Sequence, residues 1–138
     1  MVKEFWVNLP TKDVSKTKAF FKAIGFTENT HFGENPTMAS FFLGEKNVAV
    51  NFFTEEVFKS FSGNEISNTS KGTEALFSID AQSPAEVDEM AKKAVNAGAK
   101  LYGEPGEKDG WMYGCGFIDL DGHRWNVLYM DFEKMPKQ

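Results

Sequence analysis

The chain has 138 residues, 41% hydrophobic and 25% charged, with a net charge of −5. That is one domain's length and an ordinary globular composition, which excludes a disordered chain. A single cysteine, Cys115, excludes an internal disulfide and a cysteine-based structural zinc site, and a basic complement that is all lysine except Arg124 argues against a nucleic-acid partner.

The chain opens Met-Val-Lys-Glu-Phe-Trp, without the apolar run of a signal peptide, and its longest apolar stretches are too short to span a bilayer. A cytoplasmic protein with no membrane partner is expected. Residues 4–9 alternate, with Phe5, Val7 and Leu9 on one face and Trp6 and Asn8 on the other, and Pro10 is expected to end this strand. Asp13 caps a helix whose Thr17, Phe20, Phe21 and Ile24 share one face, and Gly25 stands where such a helix stops. A short strand is expected over Phe26–Thr30, a hairpin over Ala39–Leu43 and Val48–Phe53, and a helical turn or two over Glu55–Phe61. Residues 62–72 are small and polar and read as a linker.

The pattern then restarts. Ala75, Phe77 and Ile79 alternate with Glu74, Leu76 and Ser78, which predicts a strand. Ser83-Pro84-Ala85-Glu86 is a helix start with a capping box, Val87, Met90, Ala91 and Ala94 form its apolar face, and Gly98 stops it. A short strand is expected at Lys100–Glu104, a mobile charged loop at Gly103–Gly110, and a hairpin of Trp111–Leu120 and Arg124–Met130 about Asp121-Gly122. Each half thus reads strand, helix, strand, strand, strand. Trp6 and Glu74 are taken as equivalent positions, 68 residues apart; Gly25 and Gly98 are 73 apart, and Asn51 and Asn126 are 75 apart. An internal duplication of a βαβββ module accounts for these offsets. The modules are placed at about 1–61 and 73–132, in a single domain spanning 1–138.

Two such modules, one opening with Trp6-Val7-Asn8-Leu9-Pro10-Thr11-Lys12-Asp13 and the other closing with Phe117-Ile118-Asp119-Leu120-Asp121-Gly122-His123-Arg124-Trp125-Asn126, resemble the vicinal oxygen chelate superfamily. This is the glyoxalase, bleomycin-resistance protein and extradiol dioxygenase group, and the likeness is greatest to bacterial lactoylglutathione lyase-like proteins. The resemblance implies an α+β fold in which the strands form a curved, incomplete β-barrel cup with the helices outside. It also implies a homodimer.

In metal-using members one ligand comes from the first and one from the last strand of each module. Carried over by position, these are Trp6, Asn51, Glu74 and Asn126. Tryptophan does not ligate, and asparagine oxygens are poor ligands for zinc, nickel or iron, which leaves Glu74 alone. His31 reads as a surface residue, His123 as part of a turn and Cys115 as a small buried residue. The expectation is therefore a degenerate site with no metal or other cofactor, a divalent metal being disfavoured. The ligand would be a small organic molecule held by Trp6, Asn8, Asn51, Phe53, Trp111, Tyr113 and Asn126 in an aromatic-lined cup. The alternative is a glyoxalase-like lyase or isomerase, with Glu74, partly desolvated in the cup, as catalytic base or metal ligand.

Overall fold

The computed structural model describes residues 1–137. It divides into two compact units, Met1–Asn68 and a second that begins at Thr69. The first contains β1 (Trp6–Thr11), α1 (Val14–Ala23), β2 (Thr27–Glu28), β3 (Met38–Leu43), β4 (Val48–Thr54) and α2 (Glu55–Ser62). The second contains β5 (Leu76–Asp80), α3 (Pro84–Asn96), β6 (Lys100–Lys108), β7 (Met112–Ile118) and β8 (Arg124–Met130). Each unit has an open four-stranded mixed sheet, in the orders β1-β4-β3-β2 and β5-β8-β7-β6. The fold class is α+β, and neither sheet closes into a barrel. Among the described residues, no helix is long and apolar enough to cross a membrane.

Helix starts follow the local chemistry. The Asp13 side chain accepts from the Lys16 amide, and Ser83 accepts from the Glu86 amide while Glu86 reaches back to the Gln82 amide. After the helices the chain reverses at Gly25 and Gly98, both at positive φ, where a side chain would be strained. The two cores are then filled in opposite ways. In the first unit the bulk comes from the helix: Phe20, Phe21 and Ile24 pack on Ala39, Phe41, Val50 and Phe52, with Phe21 stacked on Phe52 at 4.6 Å. In the second the helix offers Val87, Ala91 and Ala94, and the sheet supplies the bulk as Phe117, Trp125 and Val127.

Several boundaries differ from expectation. Pro10 does not end β1, which runs on to Thr11; β1 is an edge strand, where a missing N–H is tolerated. The short strand expected over Phe26–Thr30 is two residues, followed by a 3-10 turn at Thr30–Phe32. The mobile loop expected at Gly103–Gly110 is instead mostly strand. β6 continues to Lys108 against β7, with register shifts between Leu101 and Gly103 and again between Gly103 and Gly106. These irregularities, in an edge strand, accommodate Pro105.

The register also moves one equivalence. Asn51 sits opposite Asn8, and Asn126 sits opposite Ser78. Ser78 is 70 residues after Asn8, as the helix cap Ser83 is 70 after Asp13. Trp6 therefore corresponds to Leu76, not to Glu74, which lies ahead of β5.

The turn between β7 and β8 is tied to the second core by one carboxylate. Asp119 accepts from the backbone amides of Asp121 and His123 and from the indole N–H of the fully buried Trp125, all within 3.0 Å. Asp119→Ala should leave that indole unsatisfied in the core and cost about 3 kcal/mol, read as a lower urea midpoint at unchanged m-value.

Candidate functional site

In each sheet one face is covered by a helix, α1 or α3, and the other is the open face, which in the first sheet α2 meets at Phe53. On the open face of the first sheet, residues fall in rows set by the strand register. Trp6, Ala49 and Phe42 form one row, Asn8, Asn51 and Ser40 the next, and Pro10, Phe53 and Met38 the third. The middle row is polar and hydrogen-bonded from end to end. Asn29 Nδ2 donates to Ser40 Oγ at 3.2 Å, Ser40 Oγ donates to Asn51 Oδ1 at 2.6 Å, and Asn51 Nδ2 donates to Asn8 Oδ1 at 3.1 Å.

One backbone group sets the direction of this chain. The His31 N–H donates to Asn29 Oδ1, which makes the other Asn29 atom the donor to Ser40. Ser40 must then pass its own proton to Asn51 Oδ1, and Asn51 presents its NH2 to Asn8 Oδ1. The chain thus ends on the Asn8 NH2 group, a donor on an exposed residue. Asn51 and Ser40, which are buried, commit their polar atoms to the row. Trp6, 53% exposed, lies one row above Asn8. Phe53 lies one row below, its ring edge-on to Phe61 of α2 at 5.3 Å.

The second unit treats the corresponding row differently. Ser78, Asn126 and Gly116 line up, and Asn126 Nδ2 donates to Ser78 Oγ at 3.5 Å. The Tyr102 ring from β6 lies over Gly116, so close that any Cβ there would clash with it. Its hydroxyl donates to the Trp125 carbonyl at 3.3 Å, and burial raises its pKa against the opposing pull of Arg124.

The remaining expected site residues fall as follows. Tyr113 points to the helix side, where its hydroxyl donates to Asp88 of α3 at 2.7 Å; it does not line the open face. The tyrosine is in the same face register as the core residues Cys115 and Phe117, which the odd-numbered parity of β7 makes plain. Trp111 stands just before β7, half-buried, with its ring 6.3 Å from that of Phe132. Glu74 is exposed, outside the strand, rather than partly desolvated among apolar neighbours. The site residues that sequence reasoning missed are Ser40 and Asn29. Both are small polar residues in or beside strands, and a serine between Ala39 and Phe41 is the signal that was there to read.

Among the described residues, Asp119, Asp121 and His123 form one cluster of metal-ligand types, within 4.8 Å of one another. Asp119 already spends both oxygens on the turn and on Trp125. Burial holds its pKa up, with His123 opposing.

Solved structures share this architecture. A hypothetical protein, SA1046 from S. aureus, is 31% identical, with 93% of this chain and 94% of that one covered and a TM-score of 0.81. A glyoxalase/bleomycin resistance protein/dioxygenase family enzyme from Burkholderia phytofirmans is 22% identical, covering 89% and 94%, with a TM-score of 0.74. The chain has the vicinal oxygen chelate fold, the fold of the glyoxalase/bleomycin resistance/dioxygenase proteins. With the S. aureus protein it also shares a family. A further structure of the same fold is the fosfomycin resistance protein FosX from Listeria monocytogenes, 20% identical over 97% and 96% of the chains, at a TM-score of 0.66. No protein-family model matches the sequence, and no curated protein does.

Within this superfamily fold Cys115 is a packing residue. It is buried, its thiol faces the Val87 carbonyl, and burial pushes its pKa from the ordinary 9.0 up to about 11. The folded protein holds that proton more tightly than the unfolded chain, so stability falls as pH rises from 9.0 through about 11. A thiol-disulfide reagent at about pH 8 should label Cys115 at least about a hundredfold faster in denaturing urea than in buffer.

Proposed function

We propose that this protein binds a small organic molecule, without a metal ion, on the open face of its first sheet. The observation that carries this reading is the directed hydrogen-bond chain that ends in the Asn8 NH2 between the aromatic rows of Trp6 and Phe53. The donor has no choice of role, because the whole row behind it is fixed by the His31 backbone N–H. A ligand that fits it brings an acceptor oxygen to Asn8 and a flat or apolar body to Trp6 and Phe53.

The donor set supports the metal-free part of the reading. Trp6 has no ligating atom, and Leu76, now its counterpart in the second unit, has none either. Asn51 Oδ1 already accepts from Ser40, and an amide oxygen is a poor ligand for zinc, nickel or iron. That set does not fit these metals. The lyase or isomerase reading with Glu74 as base or ligand draws no support from an exposed carboxylate ahead of β5.

Two measurements test the proposal. In a thermal-shift panel of small aromatic ketones and amides, compounds with the acceptor oxygen should raise the melting temperature by a few degrees at saturation, and the matching hydrocarbons should not. Asn8→Asp still accepts from Asn51 but presents oxygen where the donor stood, so it should abolish those shifts while leaving the unliganded melting temperature within about 2 °C. Shifts that survive this substitution, or none in the native protein, overturn the reading. Purified protein should also hold no stoichiometric metal. About one zinc or nickel ion per chain, lost in Glu74→Ala, would restore the lyase alternative in its metal-dependent form.

A further inference from the structure

Among the described residues the chain's single arginine has no carboxylate partner. The ion pairs among the described residues all use lysines, namely Lys18, Lys22, Lys59 and Lys93. Arg124 instead lies over the ring of Tyr102, its guanidinium carbon 4.8 Å from the centroid. Leaving a half-buried arginine unpaired in a chain with 20 acidic residues is unusual chemistry for a purely structural side chain.

Its surroundings hold it ready. Tyr102 is anchored through its hydroxyl to the Trp125 carbonyl and is seated over Gly116, where only glycine leaves room for the ring. Among the described residues no hydrogen bond or ion pair engages the guanidinium beside this ring contact, so the fork stays able to make two parallel hydrogen bonds. The register puts Leu76 and Ile118 in the same row as Arg124, on the open face of the second sheet. Leu76 is 53% exposed. The site is therefore a pinned cation with an apolar flank, and both features are local to the second unit.

We propose that Arg124, positioned by Tyr102, is the receptor for the carboxylate of a small organic acid whose apolar body rests on Leu76 and Ile118. A carboxylate matches the planar fork two atoms to two. The apolar flank distinguishes such an acid from a bare inorganic anion, which would gain nothing from leucine and isoleucine. The inference does not rest on the ligand proposed for the first sheet. It stands on different residues and fails or succeeds by itself.

Because the chain has one arginine, a side-chain N–H spectrum should contain one arginine Nε–Hε signal, which reports this site directly. Titrating the full-length protein with benzoate should move that signal saturably. Benzamide, the neutral analogue, should not move it, and acetate, which lacks the body, should bind at least about tenfold more weakly. Benzoate binding read by calorimetry should fall at least about tenfold in Arg124→Lys, which keeps the charge and loses the fork, and should persist in Tyr102→Phe, which keeps the ring. Far-ultraviolet circular dichroism checks that both variants are folded. No saturable shift with benzoate, an equal shift with benzamide, equal affinity for acetate, tighter binding of inorganic phosphate, or undiminished binding in Arg124→Lys would each overturn the proposal.

Discussion

A polar row through the middle of a sheet has to be satisfied across its whole width, and that constraint organises the first unit. Asn51 is nearly buried on β4, and an unpartnered amide there would cost about 1–3 kcal/mol. Its neighbours are therefore not free to vary. Ser40 must stand opposite it on β3, Asn8 opposite it on β1, and Asn29 must reach Ser40 from the chain beyond β2. The 3-10 turn at Thr30–Phe32 belongs to the same arrangement, since its capping residue is Asn29 and its His31 N–H anchors the row. One backbone hydrogen bond thus sets the polarity of a side chain three strands away.

The duplicated frame makes the contrast with the second unit instructive. Both sheets have the same strand order and both place an asparagine at the centre of the last strand. Around that asparagine the units diverge. Ser40 in the first corresponds to Gly116 in the second, and Asn8 corresponds to Ser78. The cores diverge too, bulky on the helix in one and bulky on the sheet in the other. The packing and the open faces have changed while the backbone topology has not, as expected if topology is fixed by pattern and site chemistry by individual side chains.

Much of the architecture was legible in the sequence because it is written in local chemistry. The caps at Asp13 and Ser83 and the reversals at Gly25 and Gly98 each depend on a residue's own neighbours. What was illegible depends on register. Equating Trp6 with Glu74 rather than Leu76 is an error of two residues, and a shift of two keeps every side chain on its own face, so alternation gives no warning. Pairing with the last strand, which reveals the shift, is a long-range fact. Tyr113 was misplaced for another reason: its aromatic ring suggested a wall of the site, while its parity with Cys115 and Phe117 put it on the helix side, beside Asp88. The extent of β6 was hidden by Gly103, Pro105 and Gly106, which read as loop residues but are tolerated at an irregular edge strand.

The polar row and the covered row are also hard to interconvert, and this gives each open face a chemistry of its own. A serine at Gly116, as at Ser40, would clash with the Tyr102 ring, so the ring would have to leave. Once it left, Arg124 would lose the ring its guanidinium lies over. In the other direction, glycine in place of Ser40 would leave Asn51 Oδ1 and the Asn29 amide without their shared partner, and the direction of the row would no longer reach Asn8. A hydrogen-bond donor at Asn8 and a stacked cation at Arg124 are thus each the end of a chain of dependencies inside one sheet. Neither depends on His31 or His123 as a ligand: His31 contributes a backbone N–H, and the amide of His123 secures the turn that holds Trp125.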